Sequence, residues 1–183
     1  LYESDAEGLV ATLTDVMTRG AYIMQKDLEE FESDLAEFLE VKHAFGVADG
    51  TNAITLSLVA AGVAPGDEVL MPSHTFVATA GAAHMAGAQP VLVDCGRDHL
   101  IDITAADELV SERTRAIMPV HVNGRTCDME AVRAFAERHG LIIVEDAAQA
   151  LGSTFDGRGA GTFGSAGTFS FYPAKVLGCF GDG

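Results

Sequence analysis

DMEAVRAFAERHGLIIVEDAAQ, residues 128–149, holds a complete helix-to-strand passage, and its reading decides the fold. Asp128 to His139 reads as a helix, with Asp128 as N-cap and Gly140 just past the end. Leu141-Ile142-Ile143-Val144 follows, apolar on both faces, as in a sheet covered by helices on each side. That strand ends on Glu145-Asp146, so its carboxyl end is polar.

The same alternation extends outward. Further strands are expected at Ala44–Val47, Glu68–Met71, Val91–Asp94, Arg115–Val120 and Gly167–Phe171, beside Leu141–Glu145. Helices are expected between them at Thr51–Ala61, Phe76–Met85 and Thr104–Ser111. Strand-helix units joined by short loops predict an α/β fold, a mostly parallel, doubly wound sheet with helices on both faces. Residues 1–42 differ, reading as a helical segment: Asp5–Thr18 and Asp27–Glu40, with a break at Arg19-Gly20-Ala21-Tyr22. Residues 43–183 form the sheet domain.

Composition narrows the function classes. With 48% apolar and 21% charged residues, the chain is globular rather than disordered. A net charge of −16 disfavours binding to nucleic acid, whose phosphates it would repel. No apolar run is long enough to span a bilayer. Cys95, Cys127 and Cys179 are odd in number and widely spaced, which points to reduced thiols and a cytoplasmic protein. No CxxC or HExxH spacing is present, so no metal site is expected.

Ligands bind beyond the carboxyl ends of strands in such a sheet. Gly50-Thr51-Asn52 falls there, and a helix opening on such residues can hold a phosphate, although plain capping is the commoner use. Asp146 can pair with a protonated ring nitrogen or cap the next turn, and Gln149 can meet a ring oxygen. Phe76 can stack on a planar ring or pack in the core. Lys175 follows the aromatic stretch Phe169-Ser170-Phe171-Tyr172, where desolvation would free its amine for attack on a carbonyl. Ser170 offers a hydroxyl for a phosphate. Gly159-Ala160-Gly161-Thr162-Phe163-Gly164 matches the GxGxxG dinucleotide fingerprint, but a strand rather than a helix should follow it. It reads as a flexible loop.

Taken together, Asp49-Gly50-Thr51-Asn52-Ala53, Pro72–Thr79, Pro119–Gly124, Glu145–Ala150 and Phe169–Lys175 resemble the DegT/DnrJ/EryC1/StrS family of pyridoxal-phosphate (PLP) sugar aminotransferases. The resemblance begins at Gly20-Ala21-Tyr22 and ends at Gly181-Asp182-Gly183. It implies part of the large domain of a type I PLP-transferase fold. Lys175 would be the Schiff-base lysine and Asp146 the partner of the pyridine nitrogen. Gln149 would contact the ring hydroxyl, Phe76 would stack on the ring, and Gly50, Thr51, Asn52 and Ser170 would hold the phosphate.

The implied reaction moves an amino group, usually from glutamate, to a keto group of a nucleotide-linked deoxysugar. The implied assembly is a homodimer with a shared active site. Leu151, Asn123, Thr126-Cys127 and Val176 depart from the usual family pattern, which affects substrate identity rather than cofactor contacts. A chain that opens on Leu1 and stops at Gly183 is expected to be a piece of a longer one, inactive alone and without its small domain. Two alternatives stand beside the transaminase: a PLP-fold sugar dehydratase, which Lys175 argues against, and a catalytically silent regulatory module.

Overall fold

The computed structural model describes residues 5–20 and 22–183; Ala21, within the expected break, lies outside them. The chain divides into two compact units, Leu1–Gly46 and Val47–Gly183.

In the first unit, α1 (Ala6–Arg19) is capped by Asp5, which accepts from the Gly8 N–H, and ends on Gly20 in the left-handed region. Helix α2 spans Lys26–Phe38. Arg19 joins the two helices, bonding Asp15 at 2.7 Å and Asp27 at 2.9 Å. Neither helix buries a residue fully, so their apolar stripes stay accessible. The expected strand at Ala44–Val47 is not formed. It finds no ladder partner among the described residues, and an extended segment without one is only a loop.

The second unit is built on a five-stranded sheet, every neighbouring pair parallel. Its strands are β1 (Glu68–Pro72), β2 (Gln89–Val93), β3 (Thr114–Ile117), β4 (Ile142–Asp146) and β7 (Ala166–Thr168), in the order β2-β1-β3-β4-β7. Between β4 and β7 lies a small hairpin of β5 (Thr154–Phe155) and β6 (Arg158–Gly159). Side-chain alternation along the strands separates two cores. Val69, Met71, Ala116, Met118 and Val144 face α3 (Gly50–Ala60) and α4 (Val77–Met85), which contribute Ile54, Leu58, Ala82 and Ala83. Leu70, Val93, Ile117 and Ile143 face the other way. They meet Ala106 of α5 (Ile103–Asp107) and Val132, Phe135 and Ala136 of α6 (Met129–His139). Each of the Val, Leu, Ile, Met and Phe side chains among them contributes about 1.5–3 kcal/mol when fully buried. The doubly wound reading holds.

Several element ends differ from expectation, each for a local reason. Strand β3 stops at Ile117 because Pro119 has no N–H for the ladder; Val120 rejoins it as a lone bridge to Asp146. Helix α5 is shorter than Thr104–Ser111 because the Ser111 N–H donates to Thr114 Oγ1, turning the chain toward β3. Strand β2 ends before Asp94, whose carbonyl accepts from the Asp102 N–H. Strand β7 ends at Thr168, and beyond it the Phe171 N–H turns to the Gly183 carbonyl. The β5–β6 hairpin, not expected from the sequence, turns on Asp156-Gly157, both with positive φ as a type I′ turn requires.

Candidate functional site

Strand β4 delivers Asp146 to the carboxyl edge of the sheet, where only 5% of the residue is exposed. Burial pushes its carboxyl above the usual carboxylate range. Two donors oppose that push. Thr79 Oγ1 donates to Oδ2 at 2.7 Å, and the Ala148 N–H reaches Oδ1 at 3.2 Å. Thr79 lies in the first turn of α4 and is itself fully buried; it went unnoticed in the sequence, although it falls one helical turn after Phe76. Phe76 is the N-cap of the same helix. The residue is 65% exposed and its ring stacks on no other ring among the described residues, so the core-packing alternative fails. One helical turn thus carries both an accessible aromatic face and the hydroxyl that grips Asp146.

Opposite α4, the start of α3 meets the segment after β7. A Cβ built on Gly50 would stand 3.0 Å from Ser170 Cβ, which is why this position suits glycine. Asp49 caps α3, and Asn52 gives it both its backbone N–H (2.8 Å) and its side-chain amide (2.6 Å). Those donors hold the Asp49 carboxyl below its usual range. The Asn52 side chain is therefore turned back on its own cap. Thr51 is half-buried beside it, and Ser170 Oγ accepts from the Tyr172 N–H at 3.3 Å.

Gln149 follows Asp146 by three residues and is held by the Asn123 backbone, whose N–H donates to Oε1 at 2.6 Å. That contact fixes the amide: Oε1 is taken, and Nε2 remains as the donating end. Lys175 is half-buried, just after the turn at Pro173-Ala174. Its side-chain nitrogen makes no ion pair or hydrogen bond among the described residues, and its charge is the least of the influences that oppose the upward push of burial on Asp146. A carboxylate, a free amine, an accessible aromatic face and an amide donor make a set that suits a planar pyridine cofactor with an aldehyde and a phosphate. The residues present fit that group.

The glycine-rich loop does something else. Glu145 points to the opposite side of β4 from Asp146, and its carboxylate accepts three backbone N–H groups. Gly161 donates to Oε2 at 2.8 Å, Phe163 and Gly164 to Oε1 at 2.6 and 2.7 Å. His121 supplies a fourth donor: its Nδ1 accepts from the Cys127 N–H, so its proton sits on Nε2, 3.0 Å from Oε2. A loop of this composition can cradle an anion, and here the anion is the protein's own side chain. The segment is bonded in place, contrary to the flexible loop expected, and β7 follows it, as the misplaced-fingerprint reading required. Cys127, beside His121, is buried, and burial pushes its thiol up to about 12.

A family model, the DegT/DnrJ/EryC1/StrS aminotransferase family, matches residues 3–183. The chain is 47% identical over 174 residues to the dTDP-3-amino-3,4,6-trideoxy-alpha-D-glucose transaminase of Streptomyces venezuelae, covering 94% of this chain and 46% of that one. It is 44% identical over 183 residues to the pleiotropic regulatory protein of Geobacillus stearothermophilus, covering 100% and 49%. Among solved structures, S. venezuelae DesV in complex with a ketimine intermediate matches with a TM-score of 0.95 at 45% identity, over 99% of this chain and 49% of that one. The chain spans about half the length of the curated relatives it matches.

Proposed function

Since the chain belongs to the DegT/DnrJ/EryC1/StrS aminotransferase family, whose members work with pyridoxal phosphate, we propose that it is the cofactor-binding half of a nucleotide-sugar transaminase. The amino group passes from glutamate to a keto group of a nucleotide-linked deoxysugar. The observation that carries this reading is the buried Asp146 on β4 with the accessible Phe76 ring and the free Lys175 amine around it.

When bound, pyridoxal phosphate supplies an electron sink for the bonds at an amino acid's α-carbon. Lys175 Nζ would hold the cofactor and, when its amine is free, serve as general base toward the α-proton. Asp146 would keep the pyridine nitrogen protonated. Gln149 Nε2 would donate to the ring oxygen, and Phe76 would cover the ring. The backbone N–H groups of Gly50 and Thr51, with the Ser170 hydroxyl, would receive the phosphate at the start of α3, whereas Asn52, expected to share in this, already gives its N–H and its amide to Asp49 and so steadies the cap.

Residues 43–183 act in this scheme as the incomplete PLP-binding large domain, and a second copy of the chain completes the site. Helices α3 and α4 support that. Beyond the residues they bury, they expose Leu56, Val59, Val77 and Met85, and a helix apolar all round is normally covered. No helix among the described residues is long and apolar enough to cross a membrane. The reduced thiols of Cys95, Cys127 and Cys179 support a cytoplasmic location.

Borohydride reduction of the PLP-loaded chain followed by peptide mapping tests the assignment. The sequence has three lysines, and Lys26 and Lys42 lie in the first unit. The label is expected on Lys175 alone; a label on either other lysine rejects the site. A silent regulatory module is the second reading, favoured by the name of the Geobacillus relative. It predicts no cofactor colour and no consumption of glutamate.

A further inference from the structure

The Asp146 carboxylate is nearly sealed from water, yet its role requires a negative charge. Burial alone would protonate it, so something beside it must favour the ionised form. Two hydroxyls stand in line with its Oδ2. Thr79 Oγ1 is 2.7 Å from that oxygen, and Thr75 Oγ1 is 2.7 Å from Thr79 Oγ1. A carboxylate only accepts, and a hydroxyl carries a single proton. Thr79 therefore spends its proton on Asp146, which obliges Thr75 to donate to Thr79. The chain of donation runs one way, Thr75 to Thr79 to Asp146. Each link polarises the next in a site with little water to compete.

Sequence spacing makes this possible. Thr75 and Thr79 are four residues apart across the start of α4, so both fall on the same side of its first turn. Phe76 sits between them as N-cap, and the Thr79 N–H donates back to the Phe76 carbonyl at 3.1 Å. One turn thereby fixes the position of Phe76 and of the carboxylate together. Oδ1 is left with a single long contact from the Ala148 N–H, so it is the oxygen with capacity to spare.

We propose that Thr79, backed by Thr75, is a positioning residue that keeps Asp146 ionised and aims its Oδ1 at the site. Its purpose rests on the transaminase reading; its existence as a donor relay does not. The other ionisable groups facing the carboxylate are His121 beyond β3 and Lys175 beyond β7, and neither touches Thr75 or Thr79.

The test is a 13C NMR titration of the Asp146 carboxyl in the PLP-free chain, comparing wild type with Thr79→Val, Thr79→Ser and Thr75→Val. Valine replaces the hydroxyl with a methyl of similar size; serine keeps the hydroxyl. Loss of one hydrogen bond to a charged group should raise the Asp146 pKa by about one unit, a tenfold change in its proton affinity. Thr79→Ser should titrate as wild type, and Thr75→Val should move the same way by less. An unchanged titration in Thr79→Val overturns the relay, as does a serine variant shifted as far as the valine one. Should Thr79→Val fail to fold, Thr75→Val decides: no shift there overturns the proposal. A second measurement uses 15N-labelled PLP. In Thr79→Val its ring nitrogen should lose its proton at lower pH than in wild type. If labelled PLP does not bind wild type while the carboxyl titration still moves, the relay stands and the transaminase reading falls.

Discussion

His121 Nε2 lies 3.0 Å from Glu145 Oε2 at a point where neither side chain has any surface exposed to solvent. Counting the loop amides, the Glu145 carboxylate accepts four hydrogen bonds and has none to spare. Replacing it with Glu145→Gln puts an NH2 group in front of at least two of those donors, whichever way the amide is turned. We expect a loss of about 2–4 kcal/mol in stability, read as a lower urea midpoint with an unchanged slope. Amide exchange should quicken at Gly161, Phe163 and Gly164 before the rest of the sheet. A variant as stable as wild type would show that the carboxylate is not what secures this loop.

Asp146 has the opposite character, because its surroundings penalise it. A carboxyl whose pKa is raised in the folded state contributes most to stability below its unfolded pKa, and that contribution is lost as pH rises through the folded value. The PLP-free Asp146→Asn protein should therefore gain on wild type as pH climbs from about 4, the ordinary carboxylate value, toward neutrality. Melting curves at a series of pH values check this; parallel curves for the two proteins would refute it.

The same substitution should be damaging to catalysis. Removing the charge that holds the pyridine proton should cost about 3 kcal/mol, roughly a hundredfold in the glutamate half-reaction, with the fold retained by circular dichroism. A near-normal rate would remove Asp146 from the mechanism. Together the two outcomes would make Asp146 a trade between stability and activity.

Gly50→Ala probes the contact between α3 and Ser170. Alanine is the better helix former by about 1 kcal/mol, so overall stability should change little. The new methyl must push on Ser170, only 3.0 Å away, and so disturb the expected phosphate seat. PLP binding should weaken about tenfold, the effect of losing about one hydrogen bond, while inorganic phosphate competes less well. Unaltered affinity for both would place the phosphate elsewhere.

At the amino ends of the strands, away from Asp146, Glu68 opens β1 and bonds Ser111 and Arg113. The Ser111 hydroxyl, aided by Arg113, holds its carboxyl below the usual range. Stability from a depressed carboxyl is present above its unfolded pKa and lost as pH falls through the folded one. Glu68→Gln should lower the melting temperature at pH 7, with the gap closing in acid. A gap that persists at pH 3 would point to packing instead.

The layered fold was legible because a parallel sheet writes itself into the sequence as local pattern. Leu141–Val144 is apolar on both faces, and Asp128 and Gly140 bracket the helix before it. Asp146, Phe76 and Lys175 could be picked out because strand ends are where a ligand goes. What stayed hidden depends on pairing between distant segments. Nothing near Ala44–Val47 reveals that it has no neighbouring strand, and nothing near Thr79 announces a carboxylate 67 residues away. Glu145 read as the last residue of a strand, while three of its four donors come from one later loop and the fourth from His121, earlier in the chain. Gln149 was read as a polar group just beyond Asp146, but which end of its amide is engaged is decided by Asn123, in a separate loop.

The carboxylate inside the Gly161–Gly164 turn also amounts to a plug, and plugs can be pulled. Glu145→Ala would leave a small polar chamber lined by three N–H groups and an imidazole N–H, with nothing to satisfy them. Formate or acetate has the charge and the two oxygens to refill it. Millimolar formate should then restore thermal stability to that variant while leaving wild type untouched. The loop's likeness to a nucleotide fingerprint would thus prove chemically real, with a guest of one carbon in place of a dinucleotide.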